Sequence, residues 1–66
     1  MDITVNGTNH SIDAPLTLTN LLIKLGLNEG RIAVEINGEI VPRSTFDDHE
    51  IQHQDQIEIV QAIGGG

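Results

Sequence analysis

The stretch Arg31-Ile32-Ala33-Val34-Glu35-Ile36-Asn37-Gly38-Glu39-Ile40-Val41-Pro42 decides the fold. Its first half alternates, with Ile32, Val34 and Ile36 on one side, which is the period of a half-buried strand. Asn37-Gly38 then supplies the residue pair that best tolerates the two positive φ angles of a type I′ hairpin turn. Glu39-Ile40-Val41 is the returning strand. Pro42, which has no amide hydrogen, stops it or confines it to a sheet edge.

Towards the C-terminus, Ser44 to Gln54 is polar and irregular apart from Phe46 and Ile51, which are expected to plug the bottom of a core. Gln56 to Gln61 reads as a strand with Ile57 and Ile59 inward, and Ala62-Ile63-Gly64-Gly65-Gly66 follows it. Towards the N-terminus the period changes. Leu18, Leu21, Leu22 and Leu25 recur at helical spacing, predicting a helix from about Leu18 to Leu25. Thr17 is its N-cap, with Asn20 a weak capping-box partner; Gly26 suits a left-handed C′ position, and Leu27 can fold back on the last turn. Before the helix, Asp13-Ala14-Pro15 breaks a first hairpin made of Asp2 to Asn6 and Thr8 to Ile12, turned at Asn6-Gly7.

The order hairpin, helix, strand, short strand, loop, strand predicts an α+β protein. One main helix laid on one face of a mixed four- or five-stranded sheet is the ubiquitin-like β-grasp arrangement, with the third and last strands at the sheet centre. Its expected core is Ile3, Val5, Leu18, Leu21, Leu22, Leu25, Ile32, Val34, Ile36, Ile57 and Ile59. Residues 1–61 form the domain in this reading, and residues 62–66 a flexible glycine tail.

Sixty-six residues allow one modest core and little room for an enzyme's cleft. A self-contained enzyme is therefore not expected. It has no cysteine, which removes disulfides, thiolate nucleophiles and cysteine-bound zinc, and makes a reduced cytoplasmic setting the simplest one. No signal segment and no apolar run of the roughly 20 residues that span a bilayer are found, so no membrane association is expected. A net charge of −7, from ten acidic residues against Lys24, Arg31 and Arg43, disfavours nucleic acid. The same acidity serves either solubility or docking onto basic protein partners.

Three consecutive glycines read two ways, as a frayed end or as an arm able to enter another protein's active site. From Ala62 such an arm reaches roughly 15 Å, and only glycine threads a narrow channel easily. A main-chain carboxylate at Gly66 is ionised at neutral pH and must be activated before a sulfur nucleophile can attack it. Adenylation by ATP performs that activation, and sulfur attack then leaves a thiocarboxylate.

The run Ile32 to Ser44, the spacing to Asp55-Gln56-Ile57-Glu58-Ile59-Val60 and the ending Ala62-Ile63-Gly64-Gly65-Gly66 resemble the ThiS family, the sulfur carriers of thiamine biosynthesis, over essentially the whole chain. The glycine ending is shared with ubiquitin and the small subunit of molybdopterin synthase; the Asn-Gly-x-x-Val-Pro-Arg stretch favours ThiS. The resemblance implies that a ThiF-type enzyme adenylates Gly66 with ATP, while Gly64 and Gly65 thread its active site. Sulfur then comes from a cysteine desulfurase or another source, and the thiocarboxylate is delivered to the thiazole synthase ThiG. No bound cofactor is implied. One departure stands out. The family usually carries glycine before the aspartate that precedes the last strand, where this chain has Gln54 before Asp55.

If Ile57 and Ile59 face the helix, Ala33, Val60 and Ala62 face the other way, rimmed by Glu35 and Glu58. With Ile63 and Arg43 they are the candidate docking residues, although scattered apolar surface is ordinary and Arg43 equally suits a local turn contact. His10, His49 and His53 match no zinc pattern, and Asp47, Asp48 and Glu50 read as a solvated loop. A ubiquitin-like modifier, or a carrier serving molybdopterin synthesis, remains the alternative.

Overall fold

The computed structural model describes residues 1–13 and 15–61. The strands β1 (Asp2–Val5), β2 (Thr8–Ser11), β3 (Ile32–Ile36), β4 (Glu39–Val41) and β5 (Gln56–Gln61) join in one sheet of order β2-β1-β5-β3-β4, with the helix α1 (Leu18–Lys24) between β2 and β3 in sequence. Only β1 and β5 run parallel; the other pairings are antiparallel. This is the β-grasp order expected from the sequence. β5 takes the centre, flanked by β3 and β1. The polar β2 and the Pro42-terminated β4 take the edges, where unpaired backbone meets water.

Both hairpins turn as their Asn-Gly pairs demand, with φ of 50° and 82° at Asn6 and Gly7, and 54° and 84° at Asn37 and Gly38. The asparagines do more than turn. The Asn6 side chain accepts from the Ile59 amide at 2.7 Å and donates to the Ile59 carbonyl at 3.2 Å, so it pairs with β5 like one further strand residue. Asn37 accepts from the Gln56 amide at 2.9 Å and donates to Asp55 Oδ1 at 3.0 Å. The central strand is thereby fastened to both hairpins by side chains as well as by its ladders.

Thr17 caps α1 by accepting from the Asn20 amide at 3.2 Å. The two preceding amides, Leu18 and Thr19, donate to the carbonyls of His49 and Phe46, so the loop before β5 satisfies the helix start. That loop was expected to be irregular from Ser44. A short 3₁₀ turn covers Arg43–Thr45, and the Ile51 amide donates to the Leu16 carbonyl. At the other end, the Leu27 amide bonds Leu22 and the Gly26 amide bonds Ile23, with Gly26 at φ 72°, the paired bonds of a Schellman motif. This closure makes Leu25 the C-cap. It is half-buried against the core instead of inside it, which corrects its place in the expected core.

One face of the sheet contributes Ile3, Val5, Val34, Ile36, Ile57 and Ile59 to the core; the helix contributes Leu18, Leu21 and Leu22. Phe46 and Ile51 are buried in the same cluster, as expected, while Ile12 and Val41 join it and Ile32 packs half-buried against it.

Asp55 is the one buried charged residue among those described. Its Oδ2 accepts from the Gln52 amide at 2.8 Å and its Oδ1 from Asn37. Asp55→Ala leaves both donors without partners and is expected to cost about 2–3 kcal/mol in urea unfolding. Next to it, Gln54 holds φ 70°, a conformation in which its Cβ crowds the following carbonyl. The side chain is exposed, so nothing is lost with it. Gln54→Gly is expected to stabilise the fold by about 1 kcal/mol, raising the thermal midpoint by about 4–8 °C. An unchanged midpoint would show that the surrounding chain absorbs the strain.

Candidate docking face at the end of the central strand

β5 carries the chain to Gln61, which pairs with Ile32 across the ladder. Ala62, Ile63, Gly64, Gly65 and Gly66 lie outside the described residues, so the tail and its carboxylate are placed only by their sequence distance from β5.

The side of the sheet away from the helix is open. Ala33 and Val60 are direct cross-strand neighbours on it; Ala33 is exposed and Val60 is 65% exposed. With Arg31 and Ile32 they line a shallow depression of about 220 Å³. The next row holds Glu58 opposite Glu35, and Ile40 opposite Glu35 on its other side. Ile40 is 73% exposed. Ile40 was not among the residues expected on this face, yet its register is legible from the turn. A two-residue turn at Asn37-Gly38 pairs Ile36 with Glu39 and therefore Glu35 with Ile40.

Arg43 is placed elsewhere. Its Nη2 donates to the Gly30 carbonyl at 3.0 Å, and with Leu22, Asn28 and Phe46 it lines a depression beside the helix. This contact ties the loop after α1 to the 3₁₀ turn.

The histidines are not brought together. His10 pairs with Ile3 across β2 and β1, His49 gives its carbonyl to the helix start, and His53 Nδ1 accepts from the Asp2 amide at 2.9 Å. Among the described residues no group of three histidine or acidic side chains could hold a metal ion. No helix there is long and apolar enough to cross a membrane. The surface depressions, about 220 to 430 Å³, are open to solvent. The geometry thus suits presentation to a partner: a central strand paired on both sides, an exposed apolar and acidic face, and, in sequence, three glycines shortly after it.

Residues 3–66 match the model of the ThiS family. The chain is 36% identical over 66 residues to the sulfur carrier protein ThiS of Escherichia coli, covering all of both chains. It is also 44% identical over 66 residues to a thiazole synthase of Magnetococcus marinus, and there it spans only 20% of that protein's length. Among solved structures, the crystal structure of a thiamine biosynthesis protein (ThiS) from Geobacter metallireducens superposes with a TM-score of 0.84 at 35% identity, with full coverage of both chains.

Proposed function

Since this chain belongs to the ThiS family, we propose that it is a sulfur carrier of thiamine biosynthesis, with the main-chain carboxylate of Gly66 as the group on which the sulfur travels. The observation that carries the reading is the family match extending through residue 66, so that the glycines fall inside it. The relatives named as a sulfur carrier and as a thiazole synthase favour thiazole assembly as the destination, with ThiG as the acceptor.

In this reading a ThiF-type enzyme binds the chain and ATP. A Gly66 carboxylate oxygen attacks the α-phosphorus, pyrophosphate leaves, and the acyl adenylate becomes a good electrophile. A persulfide supplied through a cysteine desulfurase then attacks the acyl carbon, and AMP leaves. The resulting acyl disulfide is cleaved by a thiol, which ends as a disulfide with the donor's sulfur and leaves the thiocarboxylate on Gly66. This chain supplies no acid, base or metal ligand to these steps. Its contribution is docking and reach, with Gly64 and Gly65 offering no side chain to the channel and Ala33, Val60, Ala62 and Ile63 available to partners; Arg43, bonded to Gly30 beside the helix, stands apart from that face.

The test is ATP–pyrophosphate exchange by a ThiF-type enzyme with this chain as the added component. Exchange that depends on the chain is expected. Exchange at the background rate would remove the reading, while isopeptide adducts on other proteins without thiocarboxylate would replace it with a protein modifier. Transfer to molybdopterin synthase in place of ThiG would redirect the pathway.

A further inference from the structure

The open face of the sheet brings two carboxylates together without a hydrogen-bond partner among the described residues. Glu35 and Glu58 stand directly opposite one another on β3 and β5 and are both exposed. Like charges in cross-strand register repel. Among the described residues no side-chain hydrogen bond reaches either carboxylate. Arg31, the residue before β3, is four residues from Glu35, about 13 Å at the rise of a strand. The pair is flanked by apolar surface on two sides, Ile40 in its own row and the Ala33 and Val60 pair in the next.

We propose that this face docks a protein partner that presents an arginine or lysine side chain, seated between Glu35 and Glu58, with apolar neighbours of that cation covering Ile40 and Val60. The inference rests on the carrier reading above and gives its docking surface a partner chemistry.

Three considerations select this occupant. The first is reach. Gly66 is six residues beyond Val60, and six extended residues span at most about 20 Å, so an enzyme acting on Gly66 must come close to this end of the sheet. The second is sign. A second copy of this chain brings a net charge of −7 and the same carboxylate pair, and nucleic acid brings phosphates, so both are repelled. The third is complementarity. A cation between the carboxylates turns their repulsion into two attractions, and apolar cover from the partner lowers the local dielectric and strengthens both. A guanidinium fork suits two separate carboxylates better than an ammonium does.

The test uses the full chain with a ThiF-type enzyme as the probe, comparing the parent with the double variant Glu35→Gln, Glu58→Gln. In the free double variant the thermal midpoint is expected to rise, because the repulsion is gone. In ATP–pyrophosphate exchange its KM is expected to rise about tenfold with kcat nearly unchanged, and the dependence of KM on salt to flatten. Val60→Ser is expected to raise KM with the salt dependence intact. A lower thermal midpoint in the double variant would make the pair structural and overturn the docking assignment. An unchanged KM, with the parent chain active, would overturn it and leave the carrier reading standing. No exchange with the parent would overturn both.

Discussion

Deleting Gly66 is expected to reduce thiocarboxylate formation more than a hundredfold while the thermal midpoint stays that of the parent. The core residues run from Ile3 to Ile59, so the described packing does not draw on the last residue. The shortened chain still ends in a glycine with a carboxylate of its own at Gly65. What changes is reach, by about 3.5 Å. An active site that holds the reacting carboxylate beside the α-phosphate is sensitive to misplacements of about 1 Å, each worth up to about a hundredfold in rate. Undiminished loading of the shortened chain would show that no partner measures the length of the arm. Loss of loading together with loss of folding would assign Gly66 a structural role instead.

Leu18→Ala is expected to remove a large share of the fold's stability, read by urea unfolding. Leu18 is fully buried, at the first turn of α1, within the same cluster as Phe46 and Ile51 from the loop that satisfies the helix start. Truncating a buried leucine costs about 2–5 kcal/mol, because the neighbours collapse only partly into the space left behind. A 66-residue domain has only about 3–10 kcal/mol of stability in total. Ile23, on the solvent side of the same helix and 54% exposed, is the control. Ile23→Ala is expected to change stability by less than about 0.5 kcal/mol. Equal effects at the two positions, measured by urea unfolding, would contradict the assignment of the helix's buried face.

The features of the fold that follow from local chemistry were legible in the chain. The two Asn-Gly turns, the leucine stripe of α1 and the alternation of β3 and β5 each depend on residues within a few positions of one another. What escaped depends on partners far along the sequence. Asn6 and Asn37 are turn residues by type, yet their side chains fasten β5 at Ile59 and Gln56, and no local pattern records that. The loop after Pro42 is polar and aperiodic. Its order comes from backbone bonds to Leu16, Leu18 and Thr19, supplied by a segment more than twenty residues earlier. Leu25 fits the helical stripe but falls at the C-cap, because Gly26 closes the helix first. Gln54 is the informative exception. It stands where the family carries glycine, and the backbone holds φ 70° there.

The candidate site divides in the same way. Alternation along two strands separates Ala33 and Val60 from the core, and turn register adds Ile40. Arg43 could not be placed from sequence, since its hydrogen bond to Gly30 depends on how the loop after α1 returns to the sheet. The glycines were ambiguous by themselves, and the family resemblance, not their composition, gave them a role.

In the proposed function the main-chain carboxylate of Gly66 carries the sulfur. The most direct test is the intact mass of this chain after incubation with ATP, a persulfide source and a ThiF-type enzyme. A gain equal to the exchange of one oxygen for one sulfur is expected, located by fragmentation to Gly66. An unchanged mass under conditions in which another ThiS-family chain is converted, or sulfur located elsewhere on the chain, would contradict it.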